Sequence, residues 1–341
     1  MNYQFLHTKK TIFFRVDGDS GNNAGLGHIY RSLKIYFFLK SNFYRKYNFV
    51  FLMKNYDIGK KIIKSLTNER IILFNNINRI QFKKTDVVII DTLGAEKKLL
   101  KIIYSANVKK IICFDETNIK KFFKGVVING IYFPKKKILS KSKILKIYQG
   151  PKYLILNEEF SKNKKISKFK KKTNILISSG GADKKSFLYK AVRILKNIPN
   201  FNLIVLIGIG VNKSNLIFKL KKQNNIKLIN NTKNVKKYFD SADITFVSGG
   251  TVMWESVSCG KITFVCKTYD HQKYAINYFR KKDLIKYVGS VHSLKKRKIY
   301  NDLENLNELR NDNKKKFYKA IKLIDGKGLF RVNAIIKKLL S

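Results

Sequence analysis

The chain has 341 residues, enough for two domains each with its own core, and 44% of them are hydrophobic. Its 72 Lys and Arg against 22 Asp and Glu leave a net charge of +50. The lysines run through the whole sequence, and no RNP-type aromatic motif, zinc finger or basic heptad region accompanies them, which argues against a dedicated nucleic-acid binder. No apolar run approaches the ~20 residues of a membrane span, and the first residues, MNYQFLHTKK, lack a signal pattern, so a cytosolic protein is expected.

Short apolar runs at 11–16, 48–52, 70–73, 86–90, 110–114 and 125–128 read as buried strands, with helical patterns between most of them. After the first run comes a polar, glycine-bearing loop, then an amphipathic helix over about 28–39. The rhythm stops near Phe160. The next stretch, SKNKKISKFKKK, is polar and basic and reads as a linker over 161–173. Strands resume at 174–178, 202–207, 226–229, 244–247 and 262–265, and a last helix is expected over about 327–340. The pattern predicts two doubly wound α/β domains, residues 1–160 and 174–341, with the last helix able to cross back onto the first.

Chemistry-bearing residues gather at the expected strand ends. Gly25 and Gly27 let backbone approach a ligand, and His28 stands where the helix begins, with an imidazole that can take a proton near neutral pH. Asp17, ending the first strand, could orient His28 or a sugar hydroxyl. Arg31, one turn into the helix, could bind a diphosphate or pair with an acid. In the second half, Gly249, Gly250 and Thr251 lie between a strand and a helix over 252–259. Glycines there leave room for a diphosphate, and Glu255 on that helix can accept ribose hydroxyls. Ser178-Ser179-Gly180-Gly181-Ala182-Asp183 forms a second such loop, in which Asp183 could instead cap a helix. Gln272 of Asp270-His271-Gln272 could bond a diphosphate or sugar. His7 and His292 read as surface residues; the three scattered cysteines, Cys113, Cys259 and Cys266, give neither a disulfide framework nor metal spacing, and Cys113 and Cys266, each ending an apolar run, read as core thiols. Tyr30 and Tyr36 read as packing residues.

These motifs together resemble a family. Residues 14–31, 175–183 (ILISSGGAD), 242–255 (ADITFVSGGTVMWE), 270–272 (DHQ) and 325–331 (DGKGLFR) are similar, in order, to the UDP-2,4-diacetamido-2,4,6-trideoxy-β-L-altropyranose hydrolases of pseudaminic acid synthesis. Those enzymes stand close to spore-coat polysaccharide proteins and share the GT-B fold with the peptidoglycan N-acetylglucosaminyltransferase. The resemblance implies two Rossmann-like domains facing each other across a cleft. It also implies a UDP-sugar substrate, His28 as the base that activates water, the glycine loops and Gln272 on the diphosphate or sugar, and Glu255 on the ribose. The sequence departs from the pattern where Thr92-Leu93 replace a His-Tyr pair after Asp91, where Asn157 replaces an arginine before Glu158-Glu159-Phe160, and in a loop after Asp17 that is longer by a residue or two.

The reading is therefore a metal-independent, cofactor-free hydrolase of a UDP-activated amino-sugar, with no Asp-x-Asp or His/Asp cluster for a metal. A GT-B glycosyltransferase is the alternative, and a non-catalytic binder of nucleic acid or anionic surfaces is the third reading. The charge favours weak contact with anionic membranes or phosphate-bearing substrates.

Overall fold

In the computed structural model, residues 9–19, 25–114, 124–131, 145–162, 166, 172–183, 185–211 and 224–341 are described. The chain forms two compact units, Met1–Ile155 with Leu329–Ser341, and Leu156–Gly328. The divide falls at Leu156 rather than in the basic segment, most of which lies outside the described residues.

The first unit holds strands β1 (Lys10–Val16), β2 (Tyr47–Met53), β3 (Arg70–Leu73), β4 (Val87–Asp91), β5 (Lys110–Phe114), β6 (Gly125–Asn129) and β7 (Leu145–Gln149), with helices α1 (Gly27–Phe43), α2 (Asp57–Leu66) and α3 (Lys97–Ser105). Its strands pair in the order β3-β2-β1-β4-β5-β6-β7, all parallel. Side chains alternate across β1. Ile12, Phe14 and Val16 join Ile29, Leu33 and Leu39 of α1 on one face, while Phe13 packs with Val50, Val88 and Leu99 on the other. Both faces are covered, which is why the strands read as unbroken apolar runs; each such buried side chain contributes roughly 1.5–3 kcal/mol. Helix α1 extends a turn past the expected end because Phe38 and Phe43 also pack on this core. Val332, Ile336 and Leu340 of the C-terminal helix, Gly328–Leu340, complete it.

The second unit repeats the plan with β8 (Thr173–Ser178), β9 (Phe201–Ile207), β10 (Ile226–Asn230), β11 (Ile244–Ser248), β12 (Ile262–Lys267), β13 (Lys286–Ser290) and β14 (Ser293–Leu294). Its described helices are α4 (Phe187–Leu195), α5 (Val235–Ser241), α6 (Thr251–Ser258), α7 (Lys273–Lys281), α8 (Lys296–Glu304) and α9 (Leu306–Leu323). The sheet order, β10-β9-β8-β11-β12-β13-β14, matches that of the first unit position for position, with β14 alone antiparallel. In each sheet the order reverses beside the first strand, so β1 and β4, and β8 and β11, frame the switch point where such sheets bind ligands. No described helix is long and apolar enough to cross a membrane.

Candidate active site

At the first switch point, Val16 of β1 lies opposite Asp91 of β4. His28, Arg31 and Ser32 follow on α1 at i, i+3 and i+4, so one helix face presents all three to that strand end. Asp91 is fully buried and receives them together. Arg31 donates from Nε to Oδ2 at 2.7 Å and from a terminal nitrogen to Oδ1. His28 Nδ1 lies 2.6 Å from Oδ1, and the Ser32 hydroxyl donates to Oδ2 at 3.3 Å. The Arg31 guanidinium also stands over the Phe114 ring, 5.1 Å from its centroid.

Burial by itself would push the Asp91 carboxyl up, but the Arg31 charge and bonds, with those of His28, outweigh it and hold the group well below the usual carboxylate range. An ionised carboxylate cannot donate, so at 2.6 Å the hydrogen must be on His28 Nδ1. With the hydrogen on Nδ1, a neutral imidazole here has its lone pair on Nε2, the arrangement of a general base held in one tautomer by a carboxylate. The His28 side chain retains 15% exposure, enough for a reactant to reach it.

Asp17 does not bond His28, the first of the two roles the sequence left open to it. Its carboxylate is bound by Arg15, from Nη1 at 2.6 Å and Nη2 at 2.5 Å, and by the Lys54 backbone N–H at 2.9 Å. Arg15 is itself wholly buried, also donates to Glu96, and lies 4.2 Å from the Phe74 ring centroid. Burial opposes the guanidinium charge, yet Asp17 and Glu96 raise its pKa further still. Asp17 therefore ties the ends of β1 and β2 together. Arg31 takes the second of its two sequence roles and pairs with an acid. Gly25, at φ +54°, forms an isolated bridge with Asp19, and Gly27 opens α1. Residues 20–24 of the intervening loop, and His7, lie outside the described residues.

At the second switch point, Gly180 has φ +85°, a region that favours glycine, and its N–H donates to Ser178 Oγ at 3.2 Å. Gly181 accepts from Gly210 N–H at 2.9 Å. Asp183 takes the capping role, accepting from Phe187 and Leu188 N–H at 2.8 and 2.9 Å at the start of α4; burial, partly offset by those two bonds, raises its pKa. Ser248 donates to the Ser179 carbonyl at 3.0 Å, tying the two glycine loops together. A Cβ on Gly249 would meet the Ile276 side chain at 2.5 Å, so Ile276 would have to shift to admit one. Gly250 is the N-cap of α6, Thr251 its first residue, and Glu255, half-buried, lies one turn along.

Gln272 is 5% exposed, and its carbonyl oxygen is committed to the Thr268–Tyr269 turn, accepting from both N–H groups at 2.9 and 3.2 Å and from the Thr268 hydroxyl at 3.1 Å. What remains for a ligand is the amide nitrogen, which faces Gly250. His271 is exposed and stacks on Tyr269 at 5.6 Å, with Lys185 Nζ 5.5 Å from the same ring. His292 is exposed. The three cysteines are free and buried, and burial pushes the Cys259 and Cys266 thiols up to about 12. Among the described residues no group of three or more His, Cys, Asp or Glu is placed to hold a metal ion.

Asp91 is the site residue that sequence reasoning passed over. Its signal was present: an apolar strand, Val87-Val88-Ile89-Ile90, ends on an acid.

No protein-family model matches the chain. It is 27% identical over 333 residues to the spore coat polysaccharide biosynthesis protein SpsG of Bacillus subtilis, covering 94% of this chain and 96% of that one. It is 25% identical over 256 residues to the UDP-2,4-diacetamido-2,4,6-trideoxy-β-L-altropyranose hydrolase of Campylobacter jejuni, covering 72% and 87%. Among solved structures, MurG of Acinetobacter baumannii superposes with a TM-score of 0.64 at 14% identity, covering 96% of this chain and 99% of that one. The fold is thus GT-B, built from two parallel-sheet Rossmann-like domains.

Proposed function

We propose that the protein is a nucleotide-sugar enzyme of surface polysaccharide or nonulosonic acid biosynthesis, and that it hydrolyses a UDP-linked amino-sugar to free sugar and UDP. One observation carries the reading: a histidine at the start of α1 whose Nδ1 is held by a buried, ionised Asp91. In the reaction, His28 Nε2 takes a proton from water, the water oxygen bonds to the anomeric carbon, and the bond from that carbon to the phosphate oxygen breaks as UDP leaves with the electron pair. Diphosphate is a good leaving group once amides and basic side chains hold its charge. The loops at Gly180-Gly181 and Gly249-Gly250-Thr251, the latter opening α6, are assigned that task, with the Gln272 amide nitrogen beside them. Glu255 is assigned the ribose. The similarity to SpsG and to the Campylobacter hydrolase supports the pathway and the UDP-sugar class. No metal or cofactor is assigned a role.

The alternative, a glycosyltransferase, is favoured by the likeness to MurG and uses the same base on an acceptor hydroxyl instead of water. Incubating purified protein with UDP-linked amino-sugars and assaying UDP separates the two. UDP release without an acceptor is expected; release that appears only after an acceptor is added overturns hydrolysis in favour of transfer. Titration with UDP and with a random oligonucleotide at two salt concentrations tests the third reading, since nucleic-acid binding falls steeply with salt.

A further inference from the structure

Tyr30, Phe37 and Tyr44 are 39%, 48% and 52% exposed, and they recur every seven residues along α1 and its C-cap. Seven residues are nearly two helical turns, so the three rings stand within about 40° of one another around the helix and span roughly 21 Å. Lys34 and Ser41 fall between them on the same stripe, and Arg45 and Lys46 follow at its end. From Gly27 to Lys46 there is no acidic residue. Of the acids on neighbouring elements, Asp91 pairs with Arg31 and Asp57 with Lys60, while Glu69 pairs with Lys40 at 2.5 Å and accepts from Tyr36 at 2.8 Å. Arg45 and Lys46 therefore add net positive charge to an aromatic face.

We infer that this outer face of α1 docks on an anionic lipid surface. Aromatic rings seat at the level of lipid headgroups, and lysine and arginine beside them meet the phosphates. A second copy of the chain fits poorly, because an isologous contact would bring two such basic faces together. Attachment is peripheral, since no described helix can cross a membrane. The inference stands apart from the catalytic assignment, and its test needs no sugar nucleotide.

The test is sedimentation of the full-length protein with vesicles of pure phosphatidylcholine and with vesicles containing phosphatidylglycerol, at near-physiological salt. Binding to the anionic vesicles is expected, with little to the neutral ones. The double variant Phe37→Ser/Tyr44→Ser should lower it about tenfold, and Arg45→Glu/Lys46→Glu should do likewise, both with unchanged circular dichroism. Anionic-vesicle binding that survives the aromatic variant would mean that diffuse surface charge suffices, and would overturn the proposal. So would binding of a random oligonucleotide, but not of vesicles, that depends on Phe37 and Tyr44, or a dimer that the same variant dissociates.

Discussion

Replacing Asp91 with asparagine keeps the side-chain volume and removes one acceptor oxygen and the charge. In the native site that carboxylate takes two bonds from Arg31, one from His28 and one from Ser32. The asparagine amide nitrogen can accept none of them, so the counter-charge that faces Arg31 is lost, and with the amide nitrogen at the Oδ1 position His28 Nδ1 also loses its acceptor and its fixed tautomer. Breaking a buried pair by removing one partner costs about 3–5 kcal/mol. The lower end applies here, because the Arg31 and His28 side chains keep 13% and 15% exposure and water can reach them. Loss of the tautomer lock should lower turnover by roughly 10²–10⁴-fold. Nucleotide affinity should hold, because the glycine loops assigned to it belong to the other unit.

The assay is UDP release alongside denaturant unfolding of wild type and Asp91→Asn. The pH dependence supplies a further check. The folded-state pKa of Asp91 is depressed, so its contribution to stability is fully present above the unfolded value of ~3.9 and is lost as pH falls through the folded value. The stability gap between the two proteins should accordingly be constant from neutral pH down to about pH 4 and close below it. An Asp91→Asn protein that unfolds with wild type and turns over within about threefold of it would refute the dyad.

His28→Ala or His28→Asn should abolish turnover while leaving UDP affinity, measured by calorimetry, largely intact; near-native turnover in either would remove His28 from the mechanism. Glu255→Ala should weaken UDP binding by about 1–3 kcal/mol through a lost charged hydrogen bond, and unchanged affinity would take the ribose role from it. Asp17→Asn should destabilise the fold by about 3–5 kcal/mol, because Arg15 is wholly buried, yet leave turnover per folded molecule near wild type. A stable Asp17→Asn protein with lost turnover would return Asp17 to the chemistry.

Most of the strands were legible in the sequence because buried parallel strands are continuous apolar runs. The 110–114 run is reproduced as β5, and the 11–16 run gains one residue in β1. β7, Leu145-Lys146-Ile147-Tyr148-Gln149, was missed because it lies at the sheet edge, half-exposed and broken by Lys146. β13 was missed because its run, Lys286-Tyr287-Val288-Gly289-Ser290, is broken by polar residues and a glycine, and β14 because it is only two residues long. Within the site, local motifs were readable where the chemistry is carried by neighbours in sequence, as in the capping role open to Asp183. Partners distant in sequence were not. Asp17 and Asp91 both end strands beside α1, and nothing local tells which of them faces His28. The deciding fact is register: Val16 pairs with Asp91, while the Asp17 carboxylate is taken by Arg15, which β1 alternation carries to the opposite face from Phe14 and Val16.

That division of labour has an electrostatic logic. Three carboxylates, Asp17, Asp91 and Glu96, gather near the ends of β1 and β4, where the UDP-sugar of the proposed function would approach. Left alone, they would repel it. Each is instead met by a cation: Arg31 bonds Asp91, and Arg15 bonds both Asp17 and Glu96, with Lys54 Nζ 4.0 Å from Asp17. Counted together the charges cancel, three negative against three positive, so the strand ends carry no excess negative charge to oppose an anion. A buried Arg15 is a costly way to hold two strand ends, since burial opposes its charge and apolar side chains of similar volume often serve stability as well. Its place beside the dyad makes sense if Asp17 is needed to fasten β2 to β1 and must be neutralised where the substrate arrives.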